Sequence, residues 1–509
     1  MKASNSVAAV ASTQGAEYFV ERSKPTADEH SSRFVLWRVL AGLFLSAILV
    51  VPCLWHRWLV AGDLGSHVYN AWLTQMVERG GLPGVRLADQ WNNVLFDYLL
   101  TGLGRLLSFP LAYRIAAAFS VLLFFWSAFA FVKVVTSRTP WFLAPMIAVI
   151  AYGWTFQEGI FNYYLSLGVS FLALSIWLRG KGWNRFLAFA LTPIIFLAHP
   201  IGLAWALGAG LYAVIAGATP RRFHPLLVLA AIGCLYLAGA FLRSHYSTAG
   251  AAHSTLSYSG LDQFVFTSRY ELLPLILCGI LLAAVARETI VLRSASDLWA
   301  RCSMPVQLYL IVEAAIQFLP DSVRLPQYAA PVASLTARLT LISAVLLCCM
   351  LGTLRFRVWH RLALGIVAAL FFAFLYQDTG TLSDMQERVS ALVHSLPPGQ
   401  RVLSTIVPPL RYRLSPKHIL DLACVGYCFD YGNYEPATRQ FRVRASPGNR
   451  FVISDEQDAS AAEAGAYVVQ TRDVPIYQLY QCRSAWTDLC IRPLQAGEIN
   501  GRGGMHFEP

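Results

Sequence analysis

Charge is what this chain has little of. Asp, Glu, Lys and Arg make up 14% of its 509 residues, against roughly 25% in ordinary soluble domains. Aliphatic, aromatic and Cys residues make up 56%, so the scarcity of charge excludes a soluble globular protein over most of the length. Acidic residues are scarcer still, 29 against 40 basic, giving a net charge of +11. A nucleic-acid binder concentrates its Lys and Arg in one run or on one face. Here they stand singly or in small groups between apolar stretches, so the basic balance reads as membrane topology and no nucleic-acid partner is expected. A nucleotide signature is missing too: there is no GxxxxGK[ST] and no GxGxxG placed after a strand, which disfavours an ATP-driven pump. No repeat of fixed period is present, which weakens readings built on inverted repeats.

What is abundant is apolar sequence in pieces long enough to cross a hydrocarbon core, which takes about 20 residues of helix. Such pieces lie near 34–54, 115–135, 140–156, 163–178, 186–199, 201–217, 225–242, 271–286, 304–319, 331–352 and 361–376. They predict an all-α polytopic membrane protein with about eleven spans. A polar tail, 1–33, precedes the first span and no small-x-small site follows it before Trp55, so the span reads as a signal anchor. With the N-terminus cytoplasmic, that side receives Lys2, Arg22, Lys24, Arg33, Lys133, Arg138, Arg179, Lys181, Arg185, Arg221, Arg222, Arg287, Arg293, Arg301, Arg355, Arg357 and Arg361. The short opposite loops carry only Arg243, Arg269 and Arg324, and an odd number of spans then places residues 377–509 outside the cytoplasm.

Two polar regions break the membrane body of 34–376. The first external loop, 55–114, holds Asp63-Leu-Gly-Ser-His67-Val-Tyr69-Asn70-Ala-Trp72, whose apolar positions recur with helical period. This predicts an amphipathic helix along the membrane surface, with Asp63 at its N-cap and Gly80-Gly81 as its stop. A second interfacial stretch follows at 94–100. The tail, 377–496, predicts a small extracytoplasmic α/β domain: a helix over Ser383–Ser395, then strands near 401–407, 440–445, 450–454 and 466–471, then a disordered Gly-rich end, 497–509. Its four cysteines, Cys424, Cys428, Cys482 and Cys490, form an even set where disulfides are permitted. Their C-x3-C and C-x7-C spacings fit zinc ribbons poorly, and three disulfide pairings stay open. Cys234, Cys278, Cys302, Cys348 and Cys349 lie in or beside spans, where Cys behaves as a small hydrophobe.

A signal-anchor helix, then Gly62-Asp63-Leu-Gly-Ser-His67-Val-Tyr69, two surface helices and a long helical body resembles the GT-C superfamily of membrane glycosyltransferases. Protein O-mannosyltransferases, aminoarabinose transferases of lipid A and oligosaccharyltransferases belong to it, and all take sugar from a polyprenyl phosphate or diphosphate. The resemblance covers the membrane body in architecture and the first loop in residues. It implies an inverting transfer to a glycan, lipid or protein acceptor, with an acidic residue of the first external loop as base or metal ligand, here Asp63. Paired acidic motifs, usual in several branches, are absent from this loop, which leaves dependence on a divalent cation (Mg or Mn) open.

Displacement at an anomeric carbon needs a base for the hydroxyl proton and positive charge on the departing phosphate. Asp63 is the candidate base, with the bland alternative that it only caps its helix. His67, one turn on, is a candidate to orient the acceptor or share a metal, and Asp89 is the other loop acid. Glu158 falls in an aromatic external turn, where a carboxylate is costly unless used or paired. His199 falls at another such turn, before Pro200. Arg324 and Arg338 are the candidates for the phosphate; Arg338 sits in an apolar span, where gripping phosphate would offset its burial and snorkelling is the alternative. The expectation is therefore a bacterial-type inner-membrane transferase of the cell envelope. The rival readings are an envelope-polysaccharide transporter or export component, and a non-catalytic scaffold of the same architecture. The tail is expected to cap the site without catalytic residues.

Overall fold

The computed structural model describes residues 27–180, 182–251, 256–291, 295–409, 412–482 and 485–501. The expected N-terminal tail before residue 27 lies outside the described residues, as do Lys181, Arg293 and the end beyond residue 501. Two units are formed, Met1–Ile48 and Leu49–Pro509. Helix α1 (Ala27–Val50), most of which belongs to the first, begins ahead of the apolar run expected from residue 34.

The second unit carries the remaining elements. In chain order they begin with α2 (Leu64–Glu78), β1 (Val85–Leu87), α3 (Leu95–Leu106), α4 (Phe109–Thr136), α5 (Ala144–Ala151), α6 (Trp154–Gln157) and α7 (Phe161–Arg179). Next come α8 (Trp183–Ala190), α9 (Thr192–Ala198), α10 (Pro200–Ala218), α11 (His224–His245), β2 (Ser247–Ala249), α12 (Leu272–Ala286), α13 (Ala295–Phe318), β3 (Ser322–Arg324) and α14 (Leu335–Thr353). The longest helix, α15 (Val358–His394), leads to β4 (Arg401–Ser404), α16 (Ile419–Cys424), β5 (Phe429–Asp430), α17 (Glu435–Thr438), β6 (Val443–Ala445), α18 (Glu456–Ala464), β7 (Ile476–Gln481) and β8 (Leu489–Leu494). Proline opens α4, α5, α9, α10 and α11, where its missing N–H costs nothing.

Among the described residues, eight helices are long and apolar enough to cross a membrane: Leu36–Cys53, Phe109–Thr136, Phe161–Arg179, Pro200–Ala218, Arg221–His245, Ser268–Ile290, Leu335–Thr353 and Val358–His394. The expected spans at 140–156 and 186–199 are each two shorter helices, α5 with α6 and α8 with α9. That at 304–319 lies in α13, which carries Pro305, Gln307, Glu313 and Gln317. The break between α9 and α10 is sealed by Ser166 of α7, whose hydroxyl donates to the carbonyls of Ile195 (3.1 Å) and His199 (2.9 Å). A broken helix is tolerable in a membrane protein only where side chains satisfy the freed backbone.

Contacts between chain-distant loops form two sets. In one, β1 pairs with β6 and β2 with β3, Ala329 donates to the carbonyl of Thr438, and Arg413 donates to those of Asp262 and Phe266. In the other, Arg287 and Arg301 donate to the carbonyls of Arg355 and Thr353, and Phe142 meets Phe356.

The tail forms a four-stranded sheet in the order β5-β4-β7-β8, with β4 parallel to both its neighbours and β7–β8 an antiparallel hairpin. Leu403, Tyr431, Ala459, Val469, Ile476 and Leu494 make its core. The disulfides are Cys424–Cys428, after α16, and Cys482–Cys490, across the hairpin. Three expectations are corrected. The last span and the Ser383–Ser395 helix are one continuous α15, so the tail separates after His394 rather than at 377. The segments 450–454 and 466–471 are not strands, although Val452, Ile453 and Val469 are buried; the hairpin of β7 and β8 takes the sheet position. Residues 497–501 belong to the fold, because Asn500 is fully buried, bonding Tyr467 N–H and the Ala462 carbonyl.

Candidate functional site

The site is built where two segments, the Glu158-Gly159 turn and the tail at His418, crowd around Gly62-Asp63-Leu64-Gly65. Gly62, at φ +36°, leaves room for the Glu158 carbonyl, which accepts the Asp63 N–H at 2.9 Å. A Cβ on Gly65 would run into the carbonyl of His418, and one on Gly159 into Ala61 and Asp63. Glycine is required at these positions because backbone meets backbone.

Asp63 takes the N-cap position of α2, but its side chain makes no capping bond. Its carboxylate turns instead to the tail, 3.3 Å from Nε2 of His418, whose Nδ1 is 2.7 Å from the fully buried Asp421 on α16. Though the Glu158 turn and the tail pack against it, the Asp63 side chain keeps 32% of its exposure. Burial would push the His418 ring down, but Asp421 and Asp63 outweigh it and hold the ring well above the ordinary imidazole range. Burial would likewise raise Asp63; the hydrogen bond and charge of His418, helped by His67 and Lys417, hold it below its ordinary value. The pair is thus carboxylate and imidazolium at neutral pH. Glu158 goes the other way. Burial and the neighbouring Asp63 charge push it up to about 7 against the pull of Lys417, His418 and Arg413.

His67 does not face Asp63's carboxylate. It is 5% exposed, with Nδ1 2.7 Å from Asp97 of α3, whose other oxygen takes the Asn162 amide at 3.1 Å. Burial would lower it, yet Asp97 raises it to about 9, so His67 is a buried cation tying α2 to α3. The expectation that α2 lies on the membrane surface is overturned: Ser66, His67, Asn70, Thr74 and Gln75 are all buried. The tail covers the polar face, which reads as solvated in the sequence. Ser66 donates to Glu435 (2.8 Å), Asn433 donates to Asn70 (2.9 Å), and the Tyr69 hydroxyl accepts the Asp430 N–H (3.0 Å). Burial pushes Glu435 up to about 8, only partly countered by His67.

His199 and Arg338 come together. Nη1 of Arg338 is 2.9 Å from Nε2 of His199, and the Arg338 carbonyl accepts the Tyr163 hydroxyl at 2.7 Å. Burial and the guanidinium keep the His199 ring well below its ordinary range, hence neutral. A neutral ring has one acceptor nitrogen, so the contact of Nε2 with Arg338 and the acceptance of the Ile201 N–H by Nδ1 at 3.2 Å are alternatives. Nε of Arg338 is buried with no acceptor, and Arg338 is near enough for Asp63 and Tyr434 to act on it electrostatically. Tyr434 itself faces His418, ring to ring at 5.3 Å.

Two candidates stay outside this cluster. Asp89 is exposed beyond β1, and Arg324 of β3 is half-exposed, 3.9 Å from Glu456. No group of three His, Cys, Asp or Glu side chains converges as a metal site among the described residues, and the pairing of His67 with Asp97 removes it from any set with Asp63. His418, Asp421 and Asp97 are the participants missed in the sequence. The one available signal was His418-x-x-Asp421, an i,i+3 pair beside the Cys424–Cys428 staple. The tail therefore contributes polar groups to this cluster. No protein-family model matches the chain, and neither the curated proteins nor the solved structures contain a match.

Proposed function

We propose that the chain is a membrane glycosyltransferase that moves a sugar from a polyprenyl-phosphate donor to an acceptor hydroxyl on the extracytoplasmic face. The observation that supports this is a partly exposed Asp63 carboxylate, held anionic by His418, which Asp421 helps keep charged, with Glu158 beside it and Arg338 within its field. In the proposed step the acceptor oxygen gives its proton to Asp63 and bonds to the anomeric carbon. The bond from that carbon to the phosphate oxygen breaks, and the lipid phosphate leaves with the electron pair. Arg338, backed by His199 and with Nε unsatisfied, supplies charge-assisted donors for that phosphate.

Eleven crossings, with the N-terminus cytoplasmic, accommodate the loop contacts. The first loop pairs with the tail through β1 and β6, so the two share a side. Seven of the eight long apolar helices follow that loop. Seven crossings alone would leave loop and tail on opposite sides, so an odd number more is needed. The α5–α6 pair, the α8–α9 pair and α13 supply three.

The test is Asp63→Asn in the native host, with insertion of the variant verified. Loss of an envelope glycan with accumulation of the lipid-linked sugar is expected; unchanged levels of both would remove Asp63 as base and favour a transport or scaffold role.

A further inference from the structure

Arginines crowd one face of the two-stranded ribbon that joins the first loop to the tail. In the antiparallel register Arg86 of β1 stands directly opposite Arg444 of β6. Arg442, two residues earlier and therefore on the same face, continues the row as its carbonyl accepts the Ala88 N–H at 2.8 Å. The other face buries Val85 and Val443. Like charges directly opposite on a ribbon destabilise it. Among the described residues, none of these three arginines, nor the exposed Arg439 close by, forms an ion pair. Nearby Glu435 is committed to Ser66, and Asp89 is exposed without an ion partner. In addition, Nη1 of Arg442 and Nη1 of Arg444 are each shut off from solvent with no acceptor. An unsatisfied guanidinium N–H costs stability unless something brings it an acceptor.

We propose that this face binds phosphate groups carried on a lipid. Phosphate oxygens match the forked donors of several arginines at once and remove their mutual repulsion. The position of the face argues for a lipid as the carrier. Arg442 lies over the Tyr98 ring of α3, 4.2 Å from its centroid. That helix runs at once into α4, a membrane-spanning candidate, and shows Tyr98 and Leu106 at 44% and 81% exposure, with Trp91 just before it at 75%. Exposed aromatic and aliphatic side chains leading into a span mark headgroup depth. The site uses none of the Asp63 cluster's residues and does not rest on the transferase reading.

The test counts lipids bound to the detergent-solubilised full-length protein by native mass spectrometry, offering phosphatidylglycerol against neutral phosphatidylcholine. The wild type should prefer the anionic lipid, and the combined Arg86→Gln, Arg442→Gln, Arg444→Gln variant should lose about tenfold or more of that preference. The corresponding triple Lys variant guards against misfolding: it should keep most of the preference. Asp63→Asn should bind as the wild type does, so a failed transferase reading leaves this result standing. A triple Gln variant that keeps the preference overturns the proposal. So does a wild type that shows none, or one that takes inorganic phosphate at this face but not the lipid.

Discussion

Asp63 and Glu158 are joined by one backbone hydrogen bond, and their surroundings push the proton affinities of their carboxyl groups apart. Such divergence is how a site assigns different work to like groups. Asp63 stays ionised through the physiological range, while Glu158, at about 7, is half protonated near neutrality. Each negative charge makes the other group more basic. As pH rises through 7, Glu158 ionises and Asp63 becomes a better proton acceptor. Sugar transfer from lipid donor in isolated membranes should therefore increase across pH 6 to 8, and Glu158→Gln should flatten that rise. A wild-type profile already flat over the interval would remove Glu158 from the proton chemistry. Both acids were visible in the sequence because a carboxylate at a membrane boundary is conspicuous. His418 and Asp421 were not, because their role depends on where a distant tail folds back, and neither residue type is unusual in a soluble domain.

At the scale of elements, α2 decides whether the site exists, because its Gly65 sets how closely the tail approaches. Gly65→Ala puts a methyl group against the His418 backbone carbonyl, which cannot rotate away. Overpacking of that kind costs about 1–3 kcal/mol, and here it also separates His418 from Asp63. A lowered thermal midpoint with reduced transfer is expected. Gly102→Ala in α3, where a Cβ meets nothing, should leave both unchanged or raise stability slightly. Equal behaviour of the two variants would show that the close approach at Gly65 has no energetic weight. The helical period of α2 was legible in the sequence, and its surroundings were not. Ser66, Asn70 and Thr74 read as a wet face, yet the tail satisfies Ser66 and Asn70 with Glu435 and Asn433. Periodicity reports that a helix has two faces; it does not report that a second polar surface covers one of them. The same limit explains the hairpin of β7 and β8, whose Gln478 and Gln481 are buried on side-chain and backbone partners and broke the alternation expected of a strand.

For the whole molecule, the apolar runs were legible as membrane helices because length and composition alone decide them, and eight of the eleven meet both criteria. Two of the remaining three are interrupted, at Gly153 and near Leu191, and an interrupted helix crosses only if the protein around it satisfies its backbone; the third, α13, is one unbroken helix that carries Pro305 and several polar residues. Parity makes this testable without any assay of function. Epitope tags inserted after residues 138, 180, 219 and 355 sample the connections between spans. If α5–α6 crosses, the first two tags share a face; if α8–α9 crosses, the second and third do; if α13 crosses, the third and fourth do. Eleven crossings place all four tags on one face and a tag in the tail, after residue 501, on the other, as read by antibody access before and after permeabilisation. Any adjacent pair found on opposite faces identifies the segment between them that fails to cross. A single such failure would also separate the first loop from the tail, in conflict with the β1–β6 pairing and with the Asp63–His418 contact on which the proposed chemistry depends.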